Sequence, residues 1–174
     1  AWATSGKSEA SVAEGGDPRL TGLRGLVLAP GSVAVTGGFS TAGATALTFS
    51  CDAAGGAVYY AVVLDGDCRE CQVGFCTPSF VVEEGEDKLG NGVGDDEHSW
   101  SADGFRRTLF HRGRAGLLGG WPVDWRNGDC IGVRIADGTI SFACNGEWRV
   151  AFDGVEARRL YPAVSANGGA LLRV

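Results

Sequence analysis

Short apolar runs, each closed by Gly, Asp, Asn or Pro, recur along this chain from Leu20 almost to its last residue. They read LRGLVLA, SVAVTG, ATALTFS, AVYYAVVL and CQVGFC, and then HSWSA, RRTLFH, CIGVRIA, TISFAC, WRVAF, LYPAVSA and ALLRV. No long window places its apolar residues at helical spacing, so the pattern is that of half-buried strands. The 29 Gly against 5 Pro agree with this, because dispersed Gly serves tight turns and no G-x-Y period suggests collagen. Two hairpins can be read in detail. Ile131, Val133 and Ile135 alternate with Gly132, Arg134 and Ala136, and Asp137-Gly138 then turns the chain into TISFAC. Asn145-Gly146 makes the next turn, and both dipeptides supply the positive-φ residues a two-residue hairpin loop requires. The expected fold is all-β: a two-sheet antiparallel sandwich with almost no helix.

A length of 174 residues suits one domain with an appendage. Residues 1–18 are rich in Ala, Ser, Gly and Glu and lack an apolar period, so a flexible leader is expected there. Residues 19–174 are expected to form the single domain. The net charge is −6, with eleven acids and two bases in 65–103 and ten Arg against six acids in 104–174. A chain of that sign is not a general nucleic-acid binder, whose affinity comes from neutralising phosphates. No run of 18 apolar residues is present, so no membrane helix is expected. The six Cys (Cys51, Cys68, Cys71, Cys76, Cys130, Cys144) are expected to be reduced thiols in an intracellular protein, cytoplasmic or nuclear. Cys130 and Cys144 lie in strand-like runs, where a free thiol behaves as a small hydrophobe.

One ordered series of motifs resembles a known family. Trp125-Arg126-Asn127-Gly128-Asp129-Cys130-Ile131-Gly132 is similar to the W-x-x-G-D-x-I-G segment of SPRY domains. Gly138-Thr139-Ile140-Ser141-Phe142, Asn145-Gly146, Val150-Ala151-Phe152 and Leu160-Tyr161-Pro162-Ala163-Val164-Ser165 follow in the family's order. Upstream, Tyr59-Tyr60-Ala61-Val62, Val73-Gly74-Phe75 and the stretch from Val93 through Trp100 to His111 also match. The best-matched core is 59–165, and it implies a concanavalin-like sandwich. Trp125, Phe142, Phe152 and Tyr161 are read as core aromatics between the sheets.

The resemblance implies function as well. SPRY domains of SOCS-box adaptors look similar to VGDDEHSW, ADGTISF and VAFDGVEARRLYPAVSA, and they hold a short peptide between loops at one end of the sandwich. Carried over by position, the site here would comprise Leu89, Asn91 and Gly92 with Asn167, Gly168 and Gly169. Gly168 stands where those adaptors place a Trp, and Leu89 where they place a Tyr, so the aromatic anchors typical of interface hot spots are missing. The expectation is a non-catalytic module for protein or peptide recognition, monomeric in isolation, without cofactor or metal. It would belong to a larger adaptor or ubiquitin-ligase-like protein.

Other chemistries fit less well. Glu83, Glu84, Glu86 and Asp87 have spacings that a glycosidase could use, but they sit among Gly and Lys rather than on an apolar cleft strand. Asp95-Asp96-Glu97 lacks the EF-hand spacing, and Cys68-x-x-Cys71 has no second pair for zinc. A lectin-like, carbohydrate-binding sandwich is the alternative class, with Trp121 near Asp124 as its one candidate. An alternative protein-binding site is a basic patch of Arg106, Arg107, Arg112 and Arg114, whose guanidinium forks suit acidic or phosphorylated peptides. Strand alternation would put Arg106 and Arg112 on one face and Arg107 on the other.

Overall fold

A computed structural model describes residues 26–29, 32–35, 40–43, 51–52, 57–80, 92–113, 124–156, 159–166 and 170–173. The expected leader, 1–18, lies outside the described residues. Thirteen strands and no helix are found among those described. They are β1 (Leu26–Ala29), β2 (Ser32–Val35), β3 (Ser40–Gly43), β4 (Cys51–Asp52), β5 (Val58–Gly66), β6 (Gln72–Cys76) and β7 (Ser99–Asp103). β8 (Thr108–Phe110), β9 (Cys130–Ala136), β10 (Thr139–Cys144), β11 (Glu147–Phe152), β12 (Arg159–Ala166) and β13 (Ala170–Arg173) complete the set. A seven-stranded sheet has the order β1-β2-β13-β5-β9-β10-β11, and a six-stranded group has β3-β12-β6-β7-β8 with β4 beside β12. Every pairing is antiparallel. This is the two-sheet sandwich the alternation predicted.

The two hairpins form as read. Asp137 and Gly138 have φ of 48° and 74°, and Asn145 and Gly146 have 52° and 92°, so both central residues of each turn are left-handed. The side chains between the sheets follow the period-two pattern. Tyr60, Val62 and Leu64 of β5, Ile131, Val133 and Ile135 of β9 and Ile140 and Phe142 of β10 meet Val73 and Phe75 of β6 and Leu160 and Val164 of β12. Tyr60 crosses the gap and ties the sheets together, its hydroxyl donating to the carbonyls of Gly74 and Ala163. Trp125 and Phe142 are fully buried and Phe152 is nearly so.

Tyr161 departs from expectation. Register pairs it with Cys76, on the outer face of the six-stranded sheet, where it is half-buried in a satellite cluster with Val93, Ala163 and Phe80. Leu160 and Val164 take the inward positions of β12 instead. Pro162 pairs with Phe75 of β6, and on the other edge of β12 it falls in the gap between the β4 pairing at 159–160 and the β3 pairing that begins at Ala163, a position where a missing N–H is tolerated.

Cys68, Cys71, Cys76, Cys130 and Cys144 are free thiols. Cys144 lies in the core, where burial first and the Asp129 carboxylate second push its thiol up to about 11. Cys130, at the mouth of β9, is only half-buried. The side chain of Cys51 lies outside the described residues.

Candidate recognition surface

Antiparallel pairing decides which loops share an end. Gly66 at the end of β5 pairs with Ala170 at the start of β13, and Val63 pairs with Cys130 at the start of β9. Cys144 at the end of β10 lies opposite Ile131, Gln72 at the start of β6 opposite Ser165, and Val73 opposite Ala102 near the end of β7. One end of the sandwich therefore gathers residues 67–71, the 104–107 turn, 124–129, Asn145-Gly146, the last residue of β12 and the first of β13. Asn167, Gly168 and Gly169 fall between those two strands in the sequence and lie outside the described residues, as do Leu89, Asn91, Arg114 and Trp121.

Gly92 is described, and its placement is informative. Residues 92–98 run across the outer face of the six-stranded sheet instead of projecting from it. Val93 N–H donates to Ser165 Oγ at 2.9 Å, and Ser101 Oγ donates to the Val93 carbonyl. Gly94 N–H donates to Ser99 Oγ at 2.7 Å. These contacts explain why the polar residues Ser99, Ser101 and Ser165 are fully buried. Gly94 must be Gly: its φ is +101°, and an added Cβ would lie 2.5 Å from Phe110 Cβ. The acids of this segment build turns. Asp95 accepts the Gly92 N–H at 2.7 Å, while one oxygen of Asp96 accepts from His98 N–H at 3.0 Å and Ser99 Oγ at 2.6 Å. Burial raises the Asp95 carboxyl above the ordinary range, against the opposing pulls of the Gly92 N–H, the Arg106 charge and the Gln72 side chain.

The structure separates the basic residues. Arg106 and Arg107 occupy the β7–β8 turn, while Arg112 follows β8 at the opposite end. The alternation expected through 105–112 fails because β8 has three residues and Arg107 and Arg112 have φ of 54° and 59°, which breaks the extended path. Arg106 is also committed to the scaffold. Its backbone N–H and Nε reach the fully buried Asp103 carboxylate at 2.9 and 2.6 Å, and its guanidinium lies 4.8 Å over the Phe110 ring. Burial nevertheless holds the Asp103 carboxyl above its ordinary range, with Arg106 pulling the other way. Arg107 reaches Asp124 at 3.2 Å in solvent, a pair that contributes little to stability.

The W-x-x-G-D segment organises the same end. Asp129 accepts the Arg126 N–H at 2.7 Å and the Asn145 side-chain amide at 2.8 Å, so one carboxylate shapes its own turn and clamps the next hairpin. Asn145 returns a bond from its Oδ1 to Cys130 N–H at 3.0 Å. Leu64 and the turn exchange bonds too, Gly128 N–H to Leu64 O at 2.8 Å and Leu64 N–H to Asp129 O at 3.0 Å. Asp129→Ala is expected to cost about 1–3 kcal/mol, since the substitution strands the donors Asp129 satisfied. Urea denaturation checks this; an unchanged midpoint would show that the turn is held by its backbone bonds alone.

Sequence reading missed one feature of this end, a shallow depression between Cys68, Arg69, Phe105, Arg126 and Asn127. No local signal marks it, because its walls come from three connections that only the strand order brings together. Cys68 and Cys71 behind it are buried. The Cys68 thiol beside it, and then burial, keep the Cys71 thiol well above its ordinary range.

The opposite face of the molecule carries a different surface. On the outside of the seven-stranded sheet, Tyr59, Arg134, Ser141 and Val150 form one cross-strand row. Ala61, Gly132, Ala143 and Trp148 form the next.

Comparisons with known proteins agree with this architecture. The SPRY domain profile matches residues 57–174. SPRY domain-containing SOCS box protein 1 from Homo sapiens and from Bos taurus are each 31% identical over 86 residues, covering 44% of this chain. The chain spans about a third, 32%, of the length of those relatives. Among solved structures, the SPRY domain of human HERC1 superposes with a TM-score of 0.66 at 20% identity, over 86% of this chain and 92% of that one. The TRIM65 PSpry domain gives 0.64 at 17% identity, over 86% and 83%. With the profile spanning more than half of its length, the chain belongs to the SPRY domain family.

Proposed function

We propose that this domain is a non-catalytic module that recognises an extended segment of a partner protein at the loop end of the sandwich, as part of a larger adaptor or ubiquitin-ligase-like protein. The observation that carries this reading is the anchoring of Val93 on Ser165. That bond ties the segment ending in Leu89, Asn91 and Gly92 to the strand that runs directly into Asn167, Gly168 and Gly169. Gly92, the described member of one half of the site inferred from the motifs, therefore lies next to the end of β12, and the other half follows β12 in the sequence. Strand backbones are occupied by ladder bonds, so contacts there come from loops. Gly at 90, 168 and 169 supplies no side-chain anchors, which favours shallow main-chain recognition there; Gly92 itself is buried, with its N–H and carbonyl both bonded to Asp95. The free thiols support an intracellular setting. The carbohydrate reading gains no support: the described exposed aromatics, Tyr59 and Trp148, stand on a sheet face and not beside loop Asn or Asp.

Peptides selected from a displayed random library are expected to bind with Kd near micromolar, roughly −8 kcal/mol. Gly168→Arg should abolish that binding while circular dichroism stays unchanged. Arg107→Gln combined with Arg112→Gln should leave it intact; Arg106 is avoided because Asp103 needs it. If the Arg pair proves decisive and Gly168→Arg silent, the interface lies elsewhere and the proposed loops are rejected.

A further inference from the structure

Three large apolar side chains are exposed among the described residues: Tyr59 at 49%, Trp148 at 39% and Val150 at 67%. Singly, such residues need no explanation, but here all three fall on the outer face of the seven-stranded sheet, in the two adjacent rows described above. The sheet beneath them is built to hold an aromatic platform. An added Cβ at Gly132 would lie 3.1 Å from the Trp148 ring and 3.3 Å from the Tyr59 ring, so the bare strand lets both rings rest on it. The two rings meet edge-on with centroids 5.8 Å apart. Arg134 lies over the indole at 5.0 Å from its centre, and no carboxylate among the described residues is within ion-pairing distance of it. Arg134 is also the only charged member of the two rows. Asp153, just past the end of β11, already accepts from the Thr139 hydroxyl at 2.7 Å and from Gly154 N–H at 3.2 Å.

We propose that this face is a second docking surface, independent of the loop end, and that its occupant is an acidic and apolar peptide segment of a partner protein. Apolar side chains of that segment pack on Tyr59, Trp148 and Val150, and one of its carboxylates takes the guanidinium fork of Arg134. The stack on Trp148 holds that fork in place, which lowers the entropy lost on binding. Charge excludes the other occupants. A second copy of this same face would bring another Arg134 and no carboxylate from the two rows to pair with it. Nucleic acid would need several cations where this face offers one.

The test uses ¹⁵N-labelled domain titrated with two capped pentapeptides, phenylalanine and leucine alternating either with acidic residues or with lysines. The acidic peptide is expected to give saturable shifts at the Trp148 indole N–H and the Gly132 and Arg134 amides, and the lysine peptide none. Trp148→Ala should weaken the acidic peptide about tenfold or more, and Arg134→Glu should reverse the charge preference, with spectra confirming that both variants remain folded. Equal response to the two peptides, no response, or shifts confined to residues 67–71, 104–107 and 124–129 would overturn the proposal. Self-association abolished by Trp148→Ala would overturn it in favour of a dimer interface. None of these results depends on the Gly168→Arg experiment, so the two surfaces stand or fall separately.

Discussion

Replacing Trp125 with Ala is expected to remove about 3–5 kcal/mol of stability, the range for deleting a fully buried large aromatic side chain. Trp125 is 1% exposed and belongs to the main core. Its indole fills the space above Gly104, where an added Cβ would lie 1.9 Å from Cγ. The loss is a large share of the 5–15 kcal/mol typical of a domain, so the variant should melt well below the parent or fail to fold cooperatively. One term works in the opposite direction. Trp125 Nε1 is buried and has no acceptor within reach among the described residues, which costs roughly 1–3 kcal/mol in the parent. Trp125→Phe removes that donor while keeping most of the apolar volume, so it should be far milder than Trp125→Ala. Urea melts of both variants decide the matter; equal losses would contradict the claim that the buried volume of Trp125 is what stabilises the domain. Gly104→Ala should approach the Ala variant in severity by displacing the indole from the other side.

Gly74→Ala should be among the most damaging glycine substitutions at the described positions. Gly74 pairs with Ser101 across β6 and β7, and its carbonyl receives the Tyr60 hydroxyl from the other sheet. A Cβ there would stand 1.8 Å from the Trp100 carbonyl oxygen and 2.7 Å from Ser101 Cα. Both atoms are backbone, so no rotamer change relieves the clash and the two strands must part. The cost should exceed the ~1–3 kcal/mol of an ordinary overpacked core site, because ladder bonds are lost as well. Gly132→Ala is the control. Its clash is with the rims of two exposed rings that can swing aside, so the change should cost little. Thermal melts showing similar losses for both would contradict the backbone argument.

The SPRY resemblance pointed to the right fold because the motif residues are mostly fold-makers. Asp129 clamps two turns, Trp125 plugs the loop end of the core, and Gly138 and Gly146 complete left-handed hairpin turns. That also explains why the same residues say little about the ligand: their chemistry is spent inside the sandwich. The residues carried over as a site lie on connections, where side chains are not constrained by the core and the motif alone cannot place them.

The sequence by itself determined what depends on a few neighbouring residues. Period-two alternation set the inward face of β9 and β10, and Asp-Gly and Asn-Gly supplied the φ values of their turns. It could not separate the covered outer face of the six-stranded sheet from an open one, because what buries the polar Ser99, Ser101 and Ser165 is the 92–98 segment laid across them. Nor could it show that Asp103 captures Arg106 while Arg112 sits at the other end, or that Tyr59 and Trp148, 89 positions apart in the chain, share one platform. Those facts depend on strand order and register between distant segments, and an alternation pattern read along one strand does not specify which strand lies beside it.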